Sequence, residues 1–577
     1  MTPSVGEEGG DSTLSGQPTT HFVFGTIGAP TMASSPLQSW IALNHQNVKE
    51  KGVMNFTIPL FKASDSQATA SKQSRFAVGG KARRHFLRTA ATALFALVSF
   101  AIAPAAIAAN DNGNNPHWVA SWATSPAAYF VYAAPVPQNQ ALGFSPTKSA
   151  VANIQPDLAF PFPNAKTTGA TAVNQTIRSI VKPDLWDNRM RVRFSNVFGN
   201  QPLTFNAATV ALQEYAGNVV NGTVTPVTFG GAKSVTIPAG QEVWSDAIKL
   251  SWVNNADDPL LQGRNLAVSY SIAGDSGHMT YHSGANMTSF ITAAGSGDHT
   301  QDVDGFAYEY TTTSWFFLTA VDVMAPADTV VVVAFGDSIT DGTHTTLNTN
   351  DRWANVLSRR LHDAYGSKVS VVNEAIGGNR VIPPVVANAT AGPAAVDRFD
   401  RDVLGLSGLT HVIWLEGIND LGAGYGQAAS ATPVFENPVI HTPMNIIAGY
   451  QNVVGRLHER GIKVYGATII SALGMNNPAE GWDLINFPNF LATVDNGAVI
   501  DGYRQQINHY IRTSGLFDGV VDFDQATLDP TTGNMRAAYL PNSQFTQLPW
   551  DYLHPNHAGY NAMGLAVDIT PFAPGHH

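Results

Sequence analysis

One stretch, Thr329–Gly342 (TVVVVAFGDSITDG), limits the fold more than any other. Residues Thr329 to Val333 are all β-branched, a run too short for a buried helix. Such a run suits a central strand of a parallel sheet, covered on both faces. Gly336 ends the strand, and Asp337-Ser338 sits where strand gives way to loop. Open α/β sheets carry their reactive groups at the carboxyl ends of strands, which makes Ser338 a candidate nucleophile. Serines at strand ends also serve as turn formers, so the rest of the chain must supply a base, an orienter and oxyanion donors.

The sequence after about Pro326 alternates strand and helix. Strands are expected at 368–373, 410–415, 462–469 and 519–523, with helices at 352–365, 442–460, 501–513 and 557–569. A short helix opens at Pro393 and ends near Val403, and Thr442-Pro443 reads as a cap with proline in the first turn. Five strands joined by crossover helices make an α/β, flavodoxin-like, doubly wound five-stranded parallel sheet. Two long loops, about 422–441 and 471–498, exceed ordinary connections and are expected to shape a substrate pocket.

Residues 110–325 read differently. Arg189, Arg191 and Arg193 alternate with Met190, Val192 and Phe194, a period of two with one apolar face. Further runs at 203–212, 234–237, 265–272 and 314–323, with turn residues between, predict an antiparallel β-sandwich domain ahead of the catalytic domain at 326–577. Trp118, Trp122, Trp186, Trp244 and Trp315 form either its core or a carbohydrate-stacking platform.

The first 80 residues lack periodicity and read as a disordered or non-native extension. Residues 81–109 combine Lys81, Arg83, Arg84 and Arg88 with an apolar segment and Ala106-Ile107-Ala108, the pattern of a cleavable export signal. Arg83-Arg84 before Phe86-Leu87 resembles a twin-arginine signal, so a secreted or periplasmic location is expected. A single membrane anchor is the rival reading, against which stand Pro104 and the short apolar core. No stable membrane association is expected after cleavage. The net charge of −11 argues against a nucleic-acid partner, which needs clustered Lys and Arg. The absence of cysteine excludes disulfides and thiolate catalysis.

Three further places fall at strand ends: Gly377-Gly378, Asn419 in LEGIND, and Asp551 with His554 in DYLHPNHAGY. Adjacent glycines let a backbone amide approach a ligand, and an Asn side chain donates without proton transfer. A carboxylate three residues before an imidazole can reach Nδ1 and leave Nε2 for a serine. Each feature has a plain structural alternative: a turn, a helix cap, a surface histidine. Ser338 lacks the G-x-S-x-G context of a nucleophile elbow, and Ile339 breaks the D-x-D of an Asp337-based phosphotransferase. His344, His554 and His557 have no metal-ligand spacing, and neither cofactor nor metal is expected.

FGDSITDG, the second glycine of AIGGN, GIND and DxxH, in this order, resemble the four blocks of the SGNH (GDSL-type) hydrolases over about residues 328–570. The resemblance implies a serine esterase with Ser338 as nucleophile, His554 as base and Asp551 as its partner. The Ser338 and Gly378 amides and the Asn419 side chain would then form the oxyanion hole. HWVASWATSP and RVRFSNVFG are similar, less specifically, to the N-terminal region of a secreted branch described as xylanase-associated esterases. A small-molecule or polysaccharide-linked ester is the substrate these readings imply. The alternatives are a polysaccharide-binding protein with a degenerate hydrolase domain, or a lipase for longer acyl chains.

Overall fold

A computed structural model describes residues 115–129, 162, 171–383, 391–423, 442–473, 496–541 and 552–575. The extension at 1–80, the export segment at 81–109, Asp551 and most of the two long loops lie outside these residues. The described residues all fall within one compact unit, 102–577.

The valine run forms β1 (Val330–Gly336), and every one of its residues is buried. It lies at the interior of a five-stranded sheet with β2 (Val369–Ala375), β3 (Leu409–Leu415), β4 (Lys463–Ala467) and β5 (Gly519–Val521). The spatial order β2-β1-β3-β4-β5, parallel throughout, is the flavodoxin-like arrangement expected from the sequence. Among the helices are α1 (Ser338–Asp341), α2 (Trp353–Tyr365), α3 (Ala395–Asp402), α4 (Pro443–His458), α5 (Asn496–Thr513), α6 (Phe523–Thr527) and α7 (His557–Ala566). Thr442 and Asn445 form a capping box ahead of α4 and Pro443 is its first residue, so the cap is as expected. Several boundaries differ: the strand expected at 462–469 spans Lys463–Ala467, the helix expected at 501–513 begins at Asn496, and that expected at 557–569 ends at Ala566. Ser338 opens a helix rather than a loop, and Phe523 starts α6 rather than ending β5, because Asp337 and Asp522 each cap a helix N-terminus.

The preceding region is antiparallel. Strands Thr176–Val181, Leu203–Leu212 and Leu266–Ile272 pair in one sheet, and His117–Ala123, Arg189–Ser195 and Leu318–Ala325 pair in another. The alternation at Arg189–Ser195 buries Met190, Val192 and Phe194 completely. Its arginine face meets water chiefly at one end: Arg189 is exposed, whereas Arg191 and Arg193 turn inward. Arg191 donates to Asp322 and Ser407, and Arg193 Nη1 reaches the Gly405 carbonyl at 3.4 Å, so the strand clasps the segment just before β3. Trp122, Trp186 and Trp315 are core residues, and the Arg191 guanidinium lies 4.7 Å over Trp118 and 4.2 Å over Trp244. Three of the five rings are thus core, and the half-buried Trp118 and Trp244 pack against Arg191. One continuous apolar core runs from Val119 through β1 to Phe572, and Ala325 is only five residues from Val330.

β1 and β3 approach so closely that a Cβ on Gly336 would lie 2.2 Å from the Leu415 carbonyl and 2.7 Å from Thr340 Oγ1. Gly336→Ala must therefore separate the two strands that deliver Ser338 and Asn419. It is expected to cost about 1–3 kcal/mol, an overpacking penalty, read from the urea unfolding midpoint, with activity falling in parallel.

Candidate active site

The sheet register sets the site. Gly336 of β1 pairs with Ala375 of β2 and with Leu415 of β3, so these three strands end in one row. Ser338, Gly378 and Asn419 follow that row at the same edge of the sheet, as loops after parallel strands should.

Asp337 accepts the Ile339 amide at 3.0 Å and thereby starts α1. Burial, followed by the nearby Glu416 carboxyl, raises Asp337 well above the ordinary carboxylate range. Ser338 is the first residue of that helix, where a backbone N–H has no partner within the helix. Its Oγ lies 2.8 Å from His554 Nε2, although 216 residues separate the two in sequence. This is hydrogen-bonding distance, and it leaves the imidazole placed to take the hydroxyl proton. His554 stands just before α7, whose cap Asn556 accepts the Gly559 amide and donates to Ala538 and Leu540 carbonyls. Asp551, the expected orienter, lies outside the described residues.

Gly378 has φ +77°, a conformation that favours glycine, and occupies the turn after β2. Asn419 is 4% exposed and its Nδ2 donates to the Asn379 carbonyl at 2.9 Å. Arg380 Nε returns a bond to the Asn419 carbonyl at 3.1 Å, so the two loops are tied reciprocally. An amide nitrogen carries two hydrogens, and this bond uses one of them. The neighbouring Asp420 holds the Val381 and Ile382 amides at 2.9 and 3.1 Å. The structure therefore brings Ser338 and His554 into contact and sets Gly378 and Asn419 at the same sheet edge.

Several residues here escaped the sequence reading. His344 packs edge-on against His554, 5.7 Å between ring centres, with φ +66°. Arg398, on α3, is fully buried and donates to Asn379 Oδ1, Ser125 Oγ and the carbonyls of Glu374 and Gly336. Within DRFDRD it reads as one of several solvated helix charges, and nothing local marks it. The positive φ of His344 had no local signal either, since non-glycine residues visit that region only where surroundings impose it. Among the described residues no group of three or more His, Asp or Glu could hold a metal, and no helix is long and apolar enough to cross a membrane.

A family model for the GDSL-like lipase/acylhydrolase family matches residues 334–562, the segment that contains every residue just described except Ser125. These residues belong to the GDSL-like lipase/acylhydrolase family. The GDSL-like domain makes the chain a carboxylic ester hydrolase. Solved structures similar to it include a lipolytic protein of the G-D-S-L family from Desulfitobacterium hafniense DCB-2, at 20% identity over 41% of this chain and 96% of that one, with a TM-score of 0.26. The acetyl xylan esterase AlAXEase matches at 19% identity over 41% and 96%, TM-score 0.27. A carbohydrate acetylesterase family member from Sinorhizobium meliloti matches at 17% identity over 42% and 95%, TM-score 0.29. No curated protein matches the chain.

Asp420 supplies a pH test of the GDSL-like domain. Burial raises its carboxyl from the ordinary 3.8 to about 8, outweighing the two amide bonds that lower it. The folded state therefore binds this proton more tightly than the unfolded chain. The stability it contributes is complete below about pH 4 and is lost as pH rises through about 8. In Asp420→Asn, urea midpoints measured between pH 5 and pH 8 should decline less steeply than in the wild type.

Proposed function

We propose that this protein is a secreted serine esterase that cleaves short-chain acyl esters, acetyl esters among them, through a covalent acyl-enzyme. The observation that carries the reading is the 2.8 Å bond from Ser338 Oγ to His554 Nε2 at the end of a buried parallel strand. His554 takes the hydroxyl proton as Ser338 Oγ attacks the ester carbonyl. The same proton then passes to the departing alkoxide, and water, deprotonated by His554, releases the acid. Asp551, three residues before His554, orients the ring and balances the imidazolium. The Ser338 and Gly378 amides and the second Asn419 hydrogen stabilise the tetrahedral oxyanion, a task for fixed donors in a dry site.

The groups around the nucleophile support a short acyl group. His344, Asn379, Arg380 and Asn419 are polar, and each is fixed by hydrogen bonds or ring contact. A long alkyl chain would have to desolvate such groups without replacing their bonds. The substrate is accordingly a small-molecule ester or an acyl group on a polysaccharide rather than a triglyceride. The basic segment, apolar core and A-x-A at 81–109 support export to the periplasm or beyond.

Ser338→Ala should abolish turnover of a short acyl aryl ester, and full retained activity would sink the mechanism. Asn419→Ala should lower kcat about 100- to 1000-fold with little change in KM, because an oxyanion donor acts in the transition state. A chain-length series of aryl esters should peak at acetate or propionate, and acetylated xylan should release acetate in proportion to enzyme. A peak at octanoate or longer would favour the lipase reading instead.

A further inference from the structure

The strand Thr280–His282 belongs to the antiparallel region, yet His282 sits against the nucleophile helix α1. Its Nε2 lies 3.0 Å from Asp341 Oδ1, and its Nδ1 lies 2.9 Å from the Ser125 carbonyl. The other Asp341 oxygen, Oδ2, accepts the Gly377 amide at 3.0 Å. A chain of three bonds thus runs from the antiparallel region, through α1, to the glycine turn that carries Gly378.

We propose that His282 is a positioning residue for ester cleavage, fixing the Gly377-Gly378 turn through the Asp341 carboxylate. The inference rests on the acyl-enzyme reading, in which the Gly378 amide faces the oxyanion.

Hydrogen-bond chemistry gives the pair its strength. A backbone carbonyl only accepts, so Nδ1 must carry a hydrogen. Nε2 then faces a carboxylate, and a good bond there needs a second hydrogen between ring and Asp341. The pair lies away from water, 4% exposed for His282 and 5% for Asp341. Trp315 stacks on the imidazole at 5.6 Å and 27°, fixing the plane of the ring, and Trp122 meets Trp315 edge-on. The charged groups around the pair are Arg352, whose Nε donates to the Asp341 carbonyl, together with Lys182, Asp184 and Asp337.

The neighbouring backbone is shaped for the same contact. A Cβ on Gly284 would lie 2.4 Å from Asp341 Oδ2, so only glycine lets this segment pass so close. Asn286 Nδ2 donates to the Gly342 carbonyl at 3.0 Å, and Arg352 Nη2 joins the Gly284 and Ala285 carbonyls at 3.1 and 2.8 Å. Residues 282–286 therefore grip the C-terminal end of the helix that Ser338 begins.

Three substitutions in the full chain test the idea with a short acyl aryl ester. His282→Phe keeps the ring on Trp315 but loses both bonds, and kcat should fall about 10- to 100-fold with KM within about twofold. Asp341→Leu, which cannot hold Gly377, should fall as far. Asp341→Asn can donate through Nδ2 to a neutral His282 and still accept the Gly377 amide through Oδ1, so its kcat should exceed that of Asp341→Leu at least tenfold. Should His282→Phe fail to fold by circular dichroism, the Leu and Asn pair decides. Equal kcat for Asp341→Leu and Asp341→Asn would overturn the proposal, as would wild-type kcat in a folded His282→Phe. Ser338→Ala in the same assay separates the two readings: activity there sinks the acyl-enzyme itself, whereas inactivity beside normal His282 and Asp341 variants sinks only this inference.

Discussion

A single buried cation joins the strand ends on which the site is built. Arg398 donates at 2.9 Å to the Gly336 carbonyl and at 2.7 Å to that of Glu374, the last or next-to-last residues of β1 and β2. It also donates at 2.8 Å to Asn379, which accepts the Asn419 side chain through its own carbonyl. Its guanidinium lies 4.2 Å over Phe335, so the plane of the ring and the fork of donors fix one another. A planar cation with five hydrogens can hold several carbonyls in one geometry, which a lysine cannot. Removing such a group would leave the Gly336 carbonyl with the Ile376 amide and the Glu374 carbonyl with the Ser125 hydroxyl, and would take the Arg398 donor from Asn379 Oδ1, a buried loss of about 1–3 kcal/mol.

The same arginine reaches across to the antiparallel region through Ser125 Oγ at 2.7 Å. Ser125 in turn bonds Glu374 Oε2 at 2.6 Å and gives its carbonyl to His282. A loop between two antiparallel strands thereby touches both supports of the candidate oxyanion hole, Arg398 beneath and the His282–Asp341 pair beside it. An appended binding module would make its own core and meet its neighbour through a modest polar surface. Here Val119 and Val333 belong to one apolar cluster, and Arg191 and Arg193 reach into the segment before β3. The antiparallel region acts as a wall of the hydrolase.

What could be read from the sequence follows from which interactions are local. The β-branched run of β1, the cap at Thr442-Pro443 and the alternation around Met190 are set within a few residues, and each element forms where those signals place it. Ser338 and His554 were found because both sit beside strong local punctuation, and only the fold could bring them within 2.8 Å. His282 and Arg398 carry no such mark, and Asp341, although it stands in FGDSITDG, shows nothing there of its distant partner. His282 lies in YHSGAN on a three-residue strand, and its partner is 59 residues away. The short antiparallel strands were also blurred, since pieces such as Thr280–His282 and Trp315–Phe316 are too brief to show a period. The arginine row on Arg189–Ser195 has the pattern of a solvated face because two of its partners, Gly405 and Ser407, stand 212 and 216 residues away in sequence, just before β3.

Burial gives the acids beneath the site a common bias. Asp337 and Glu374 are raised well above the ordinary carboxylate range by burial, Glu416 is raised by the same cause, and Asp420 reaches about 8. Glu374 is the next-to-last residue of β2, and Asp337, Glu416 and Asp420 follow β1 and β3, so all four lie at the strand ends that lead to Ser338, Gly378 and Asn419. Full carboxylates there would oppose the negative charge that grows on an ester oxygen, and in a medium of low dielectric that repulsion reaches far. Desolvation pushes them toward the neutral acid, which still accepts the amides that hold the loops: Ile339 on Asp337, and Val381 and Ile382 on Asp420. Arg398 and the aimed amides at the strand ends then meet less opposing charge, which favours an oxyanion. A site rich in acidic residues by sequence can thus be hospitable to a developing anion, provided its acids are buried deeply enough to keep their protons.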